Sequence, residues 1–222
     1  MASGEFRERL VALAAEAKIA VPPAIVEPLE TYLDLLSQWN AKINLTSLPL
    51  RPPSDETVRR LLLEPLEAAP HISRGSQNWF DIGSGGGSPA IPLKLARPEL
   101  DLSMVESKTK KAAFLREVIR TLGLTGVTVF GERLDDVVSR SALHHRATLV
   151  TLRAVRLDSG LLRAAWQLID QRGELLAFCS TTELEVPELL PWFSHRNTVL
   201  LRASASTRLA CYTPVFHVEQ TS

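Results

Sequence analysis

The run Asp81-Ile82-Gly83-Ser84-Gly85-Gly86-Gly87-Ser88-Pro89 constrains this chain more than any other stretch. It lies between an apolar segment, residues 78–82, and an apolar-periodic one, residues 91–96, which read as a strand and a helix. Four glycines within five positions at such a turn weaken a fold, because each raises the entropy cost of ordering the backbone. What they permit is a sharp reversal in which a ligand touches the main chain, with helix N–H groups aimed at it. A small molecule is therefore expected across residues 81–88.

The surrounding pattern says what kind of fold carries the turn. Residues 1–70 read as helical, with Leu10, Leu13, Ala14 and Ala17 on one stripe and Ile25, Leu29, Tyr32, Leu33, Leu36 and Trp39 on a second. Pro22-Pro23 separates them, as suits a helix start. Val58, Leu61, Leu62 and Leu66 form a third stripe after the Pro-rich loop 49–54. From residue 77 the pattern changes. Strands are expected at 78–82, 102–105, 127–130, 149–152 and 174–178. Helices are expected at 108–122, closed by Gly123, and at 159–170, ended by Arg172-Gly173. Residues 198–202 and 209–213 read as a closing antiparallel pair. Strand–helix alternation implies right-handed βαβ units and a mostly parallel sheet covered on both faces. The expected fold is an α/β doubly wound domain over residues 71–222 with an N-terminal helical extension over 1–70.

Composition removes several functional classes. No apolar run approaches the roughly 20 residues of a membrane span, and the start of the chain, Met1 to Arg9, is too polar for a secretory signal. The two cysteines, Cys179 and Cys211, are too far apart for a Cys-x-x-Cys metal site. His71, His144, His145, His195 and His217 show no ligand spacing with them. A cytoplasmic protein without membrane or metal is expected. The formal net charge is zero, which counts against nucleic acid as a partner. Lys108, Lys110, Lys111 and Arg116 nonetheless cluster, as do Arg140 and Arg146. Taken alone, such clusters are solvated helix faces.

Three ligands compete for the glycine turn. A phosphate loop requires Gly-Lys-Ser/Thr, which is missing. A dinucleotide fingerprint aligns Gly83 and Gly85 but puts Ser88 at its third glycine. The pattern Asp-x-Gly-x-Gly-x-Gly is met in full by Asp81, Gly83, Gly85 and Gly87. That pattern resembles motif I of the S-adenosylmethionine-dependent methyltransferases, whose fold is Rossmann-like. The cofactor has an ammonium to suit Asp81, a carboxylate to suit free N–H groups, and no pyrophosphate. Glu106, 23 positions beyond Gly83, is placed to accept ribose hydroxyls. After the third strand, Arg133-Leu134-Asp135 offers an apolar side chain and an acid to an adenine.

A second block narrows the resemblance. Trp39-Asn40-Ala41-Lys42-Ile43-Asn44-Leu45-Thr46-Ser47 resembles the N-terminal signature of the RsmG (GidB) family. Asp81 to Pro92, Arg97-Pro98, Glu106-Ser107, Lys110-Lys111, Phe114-Leu115-Arg116 and Leu152-Arg153-Ala154 resemble later family blocks in the same order. The resemblance implies methylation of a guanine N7 in 16S ribosomal RNA of the small ribosomal subunit, near the decoding centre. It also implies cofactor contacts at Gly83, Ser88, Leu134, Asp135 and Arg153, with Glu106 at the ribose. Arg153, at the end of the fourth strand, is the expected positioning group. No general base is expected, because guanine N7 carries a lone pair and no proton. Read without the family, Trp39 is a core anchor and Asn44 a helix cap or turn residue.

The chain departs from the family pattern at several places. Ala90 stands where the family has glycine, and Leu61-Leu62-Leu63-Glu64-Pro65 stands for His-x-x-Asp-Ser. Thr148 replaces an acid opening the fourth strand, and Cys179-Ser180 replaces Lys-Gly after the fifth. Two alternatives stay open beside the leading expectation. One is a methyltransferase of this fold acting on a small molecule or a protein; the other is a non-catalytic RNA-binding relative.

Overall fold

The structure, a computed structural model, describes residues 3–75, 77–155, 157–180 and 191–216; His217 lies outside them. Helices α1 (Ser3–Ala17) and α2 (Pro23–Asn40) come first, the second opening on the expected proline pair. A short α3 (Asp55–Val58) runs through a π turn (Arg59–Leu63) into α4 (Glu64–Ala68). Pro65 accounts for the irregularity. It has no N–H to give the carbonyl of Leu61 and its ring crowds that carbonyl, so the helix widens and the Glu64 N–H bonds to Arg59 O.

The remainder alternates: β1 (Asn78–Ile82), α5 (Ala90–Ala96), β2 (Asp101–Val105), α6 (Thr109–Leu122), β3 (Val127–Phe130), α7 (Leu134–Val138), β4 (Ala147–Arg153), α8 (Ser159–Leu168), β5 (Ile169–Ser180), β6 (Phe193–Leu200) and β7 (Thr207–Pro214). One sheet holds all seven strands in the order β3-β2-β1-β4-β5-β7-β6. β1 to β5 are parallel, while β7 runs antiparallel between β5 and β6. The chain direction across the sheet reverses between β1 and β4, where open parallel sheets bind ligands.

Strand alternation sorts side chains to the two faces. Trp79, Leu102, Met104, Leu149, Leu176, Leu209 and Cys211 join one apolar core with α1, α2, the α3–α4 segment, α5 and α6. Phe80, Ile82, Val105, Val150, Leu152, Leu175 and Tyr212 join the other with α7 and α8. The N-terminal helices thus share a continuous core with the sheet. At the end of α6, Gly123 takes φ +62° and its N–H bonds to Arg120 O, with Leu124 N–H on Ile119 O. This is the expected glycine cap.

Some boundaries differ from the sequence reading. Helix α8 stops at Leu168 rather than at 170, and β5 begins at once at Ile169, which pairs with Ala147 across an irregular register. A Cβ at Gly173 would lie 2.8 Å from Ala147 O, so Gly173 allows this close approach rather than ending a helix. Strand β6 starts five residues earlier than expected, at Phe193, because its pairing with β7 reaches Pro214. Residues 41–54 are not helical; they form a loop braced by side chains.

Candidate cofactor site

Asp81 sits near the end of β1, 1% exposed. Its Oδ1 accepts the Thr151 hydroxyl at 2.5 Å, and that hydroxyl oxygen accepts the Trp79 indole N–H at 2.8 Å. Its Oδ2 is buried without a hydrogen-bond partner. Burial pushes the carboxyl up to about 6, against the lowering effect of the Thr151 and Ser84 bonds and of Arg153. A buried carboxylate oxygen with no donor fits a ligand that brings one, and an ammonium is the strongest match.

The glycine turn follows directly. Gly83, Gly85 and Gly87 have φ of +75°, +49° and +86°, a region that L side chains rarely adopt. At Gly83 a Cβ would also lie 2.7 Å from Val155 Cγ1. The N–H groups of Gly83 and Ser84 bond to Val105 O, which seats the turn on the end of β2. Gly87 N–H bonds to Ser84 O at 2.7 Å. Glu106 completes the seat: its Oε2 accepts Gly85 N–H at 3.0 Å and its Oε1 accepts Lys108 N–H at 2.7 Å. Both oxygens keep lone pairs for further donors such as ribose hydroxyls.

Arg153 closes the site from β4. It is 10% exposed, paired with the fully buried Glu64, and lies over the Phe178 ring at 5.2 Å. Its Nη1 donates to Ser88 Oγ at 3.2 Å, and Ser88 Oγ donates to Leu61 O at 2.9 Å. Burial lowers the guanidinium pKa, and the Glu64 charge opposes that shift. The carbonyl that Pro65 strips of its helical donor is therefore the one that Ser88 satisfies.

Asp81, the glycine turn with Ser88, Glu106 and Arg153 thus meet at the carboxyl ends of β1, β2 and β4. Leu134 and Asp135 lie at the same end of the sheet, after β3, but apart from this network. Leu134 is half-buried against the second core. Asp135 is 79% exposed and pairs with Arg133 at 3.8 Å. Among the described residues no group of three or more His, Cys, Asp or Glu could hold a metal ion, and no helix is long and apolar enough to cross a membrane.

Three contributors were not singled out from sequence. Thr151 is hidden inside an apolar strand, and Tyr32 inside a helical stripe. Glu64 is recognisable only as the acid retained beside the lost His and Ser. The cap expected of Asn44 is made by Asn40 instead. Its Oδ1 accepts Leu45 and Thr46 N–H at 2.8 and 3.0 Å, and its Nδ2 donates to Thr46 O at 3.1 Å. Trp39 packs against Phe114 with ring centroids 5.8 Å apart, as a core anchor. Thr148 Oγ1 accepts Gln77 and Asn78 N–H at 2.8 and 3.1 Å, so a hydroxyl serves the start of β1 where the family has an acid.

The strand order with its reversed β7, and a glycine turn between acids at the ends of β1 and β2, define the class: a Rossmann-like, S-adenosylmethionine-dependent methyltransferase. Solved structures share the fold. A mutant of MtNAS in complex with S-adenosylmethionine matches with a TM-score of 0.56 at 17% identity, over 96% of this chain and 92% of that one. A SAM-dependent methyltransferase from Aquifex aeolicus matches with a TM-score of 0.56 at 12% identity, over 70% of this chain and 92% of that one. Residues 25–190 match the family model GidB, rRNA small subunit methyltransferase G, and the chain belongs to that family. It is 42% identical over 148 residues to ribosomal RNA small subunit methyltransferase G of Chloroflexus aggregans, covering 67% of this chain and 61% of that protein. The protein of the same name from Neisseria meningitidis is 34% identical over 178 residues, covering 77% and 84%.

Proposed function

We propose that this protein transfers a methyl group from S-adenosylmethionine to N7 of a guanine in 16S ribosomal RNA. Membership of the family over residues 25–190 carries the reading. The site supports its cofactor side: Asp81 Oδ2 waits for a donor, as the cofactor's ammonium would provide. Glu106 takes the ribose hydroxyls, and the turn takes the carboxylate end through the backbone N–H groups of Gly86 and Ser88. Leu134 and Asp135 face the adenine.

When bound, S-adenosylmethionine supplies a methyl made electrophilic by its sulfonium. The chain's own residues have little acid–base work to do, because guanine N7 has an in-plane lone pair and no proton. Proximity and orientation, with fixed dipoles in place of water, are the main contributions. Arg153, held by Glu64, Ser88 and Phe178, is a rigid cation at the edge of the site and serves as its positioning group. Exposed Lys108 and Lys110 open α6 directly after Glu106 and are available to RNA phosphates. In duplex RNA the N7 edge lies in a deep, narrow groove. The target guanine is therefore in a loop or in an incompletely assembled particle.

Small subunits from a strain lacking the modification test this. Incubated with the protein and S-adenosylmethionine, they should gain one N7-methylguanine. No methylation of intact subunits, naked RNA or assembly intermediates would refute the substrate. Label moving to a protein or small molecule would reassign it.

A further inference from the structure

The N-terminal helices do more than cover the sheet. Tyr32, on α2, is fully buried, and its hydroxyl donates to Gly86 O at 2.6 Å. The same peptide unit is held from its other end by Gly87 N–H on Ser84 O at 2.7 Å. The surroundings leave Gly86 and Gly87 little room. A Cβ at Gly86 would lie 3.3 Å from Leu45 O and 3.4 Å from Leu36 Cδ1, and one at Gly87 3.4 Å from Tyr32 Cε2. Leu36 lies one helical turn beyond Tyr32 on the same face, and Leu45 belongs to the loop that Asn40 clamps. Burial drives the Tyr32 phenol pKa upward, and the charges of Arg153 and Asp81 both act on it.

A peptide flanked by two glycines turns over easily, because no Cβ resists either orientation. Turning it would point Gly86 O into the ligand space and break the Ser84 bond. One phenol hydroxyl holds that carbonyl back. We propose that Tyr32 is a positioning residue of the cofactor site: its bond to Gly86 O fixes the peptide 86–87, and thereby the direction of the neighbouring loop N–H groups toward the cofactor's carboxylate. This rests on the reading that the glycine turn holds S-adenosylmethionine.

The test is calorimetric binding of S-adenosylhomocysteine at 25 °C to the full chain and to Tyr32→Phe, with melting temperatures recorded alongside. The ring and its packing are kept, and only the hydroxyl is lost. The dissociation constant should rise about fivefold to tenfold, the scale of one hydrogen bond. kcat at saturating cofactor should stay within about twofold, since the bond acts on binding. Ile25→Val, two turns away on α2, loses packing and lowers the melting temperature on a comparable scale. Its dissociation constant should not move. A dissociation constant unchanged in Tyr32→Phe, or raised equally in both variants, would overturn the positioning role. Absence of binding by the unsubstituted protein would instead remove the cofactor reading itself.

Discussion

Replacing Asp81 by asparagine separates what this residue does for the fold from what it does for the ligand. Its carboxyl is buried, with one oxygen on Thr151 and the other without a partner. Burial raises its pKa from 3.8 to about 6. A group whose folded pKa lies above its unfolded one holds its proton more tightly in the folded state. Stability therefore falls as pH rises through the window from 3.8 to about 6, and the full penalty applies above it. A shift of about two units corresponds to roughly 3 kcal/mol. Asp81→Asn keeps the shape and the bond from Thr151 but removes the charge. Without ligand, the variant should be about 2–3 kcal/mol more stable than the parent at pH 8 and no more stable below pH 4. S-adenosylhomocysteine should bind it at least about tenfold more weakly at pH 8, because the ammonium loses its carboxylate. In the parent, affinity should drop about tenfold per pH unit below 6, and in the variant it should stay flat. Urea denaturation and titration calorimetry at pH 4, 6 and 8 measure both halves. An unliganded variant no more stable than the parent at pH 8, or equal affinity in the two proteins, would refute the reasoning.

Glu64→Gln leaves Arg153 buried without its counter-charge, which should cost about 3–5 kcal/mol in urea denaturation. Glu64→Asp keeps the charge and should recover part of that loss. Gly83→Ala meets both an unfavourable φ and Val155; it should cost about 1–2 kcal/mol, and weaken S-adenosylhomocysteine binding by about tenfold or more in calorimetry.

The architecture is legible in the chain because strand–helix alternation and glycine placement are local signals. Asp81, Glu106 and Arg153 stand out for the same reason, each lying at or just past the end of an apolar strand. The boundary of β5 is not, because Ile169 extends into the sheet by pairing with Ala147, a contact no local window contains. Tyr32, Glu64 and Thr151 are hidden by long-range geometry. Tyr32 lies 54 residues from Gly86, and Thr151 lies 70 from Asp81. A tyrosine in a helical stripe or a threonine in a buried strand is ordinary core until its hydroxyl partner is known. Asn44 reads as the cap or turn residue, and only the folded loop singles out Asn40.

The π turn at 59–63 makes the site depend on residue count as well as residue type. Such a turn is an α-helix carrying one surplus residue, and losing it swings the two flanking segments by about 100° relative to each other. Either Glu64 would leave Arg153, or Val58 and its neighbours would turn out of the core. A one-codon deletion there would reach the glycine turn by way of Ser88 and Arg153. Length variation in this family should therefore avoid residues 59–63.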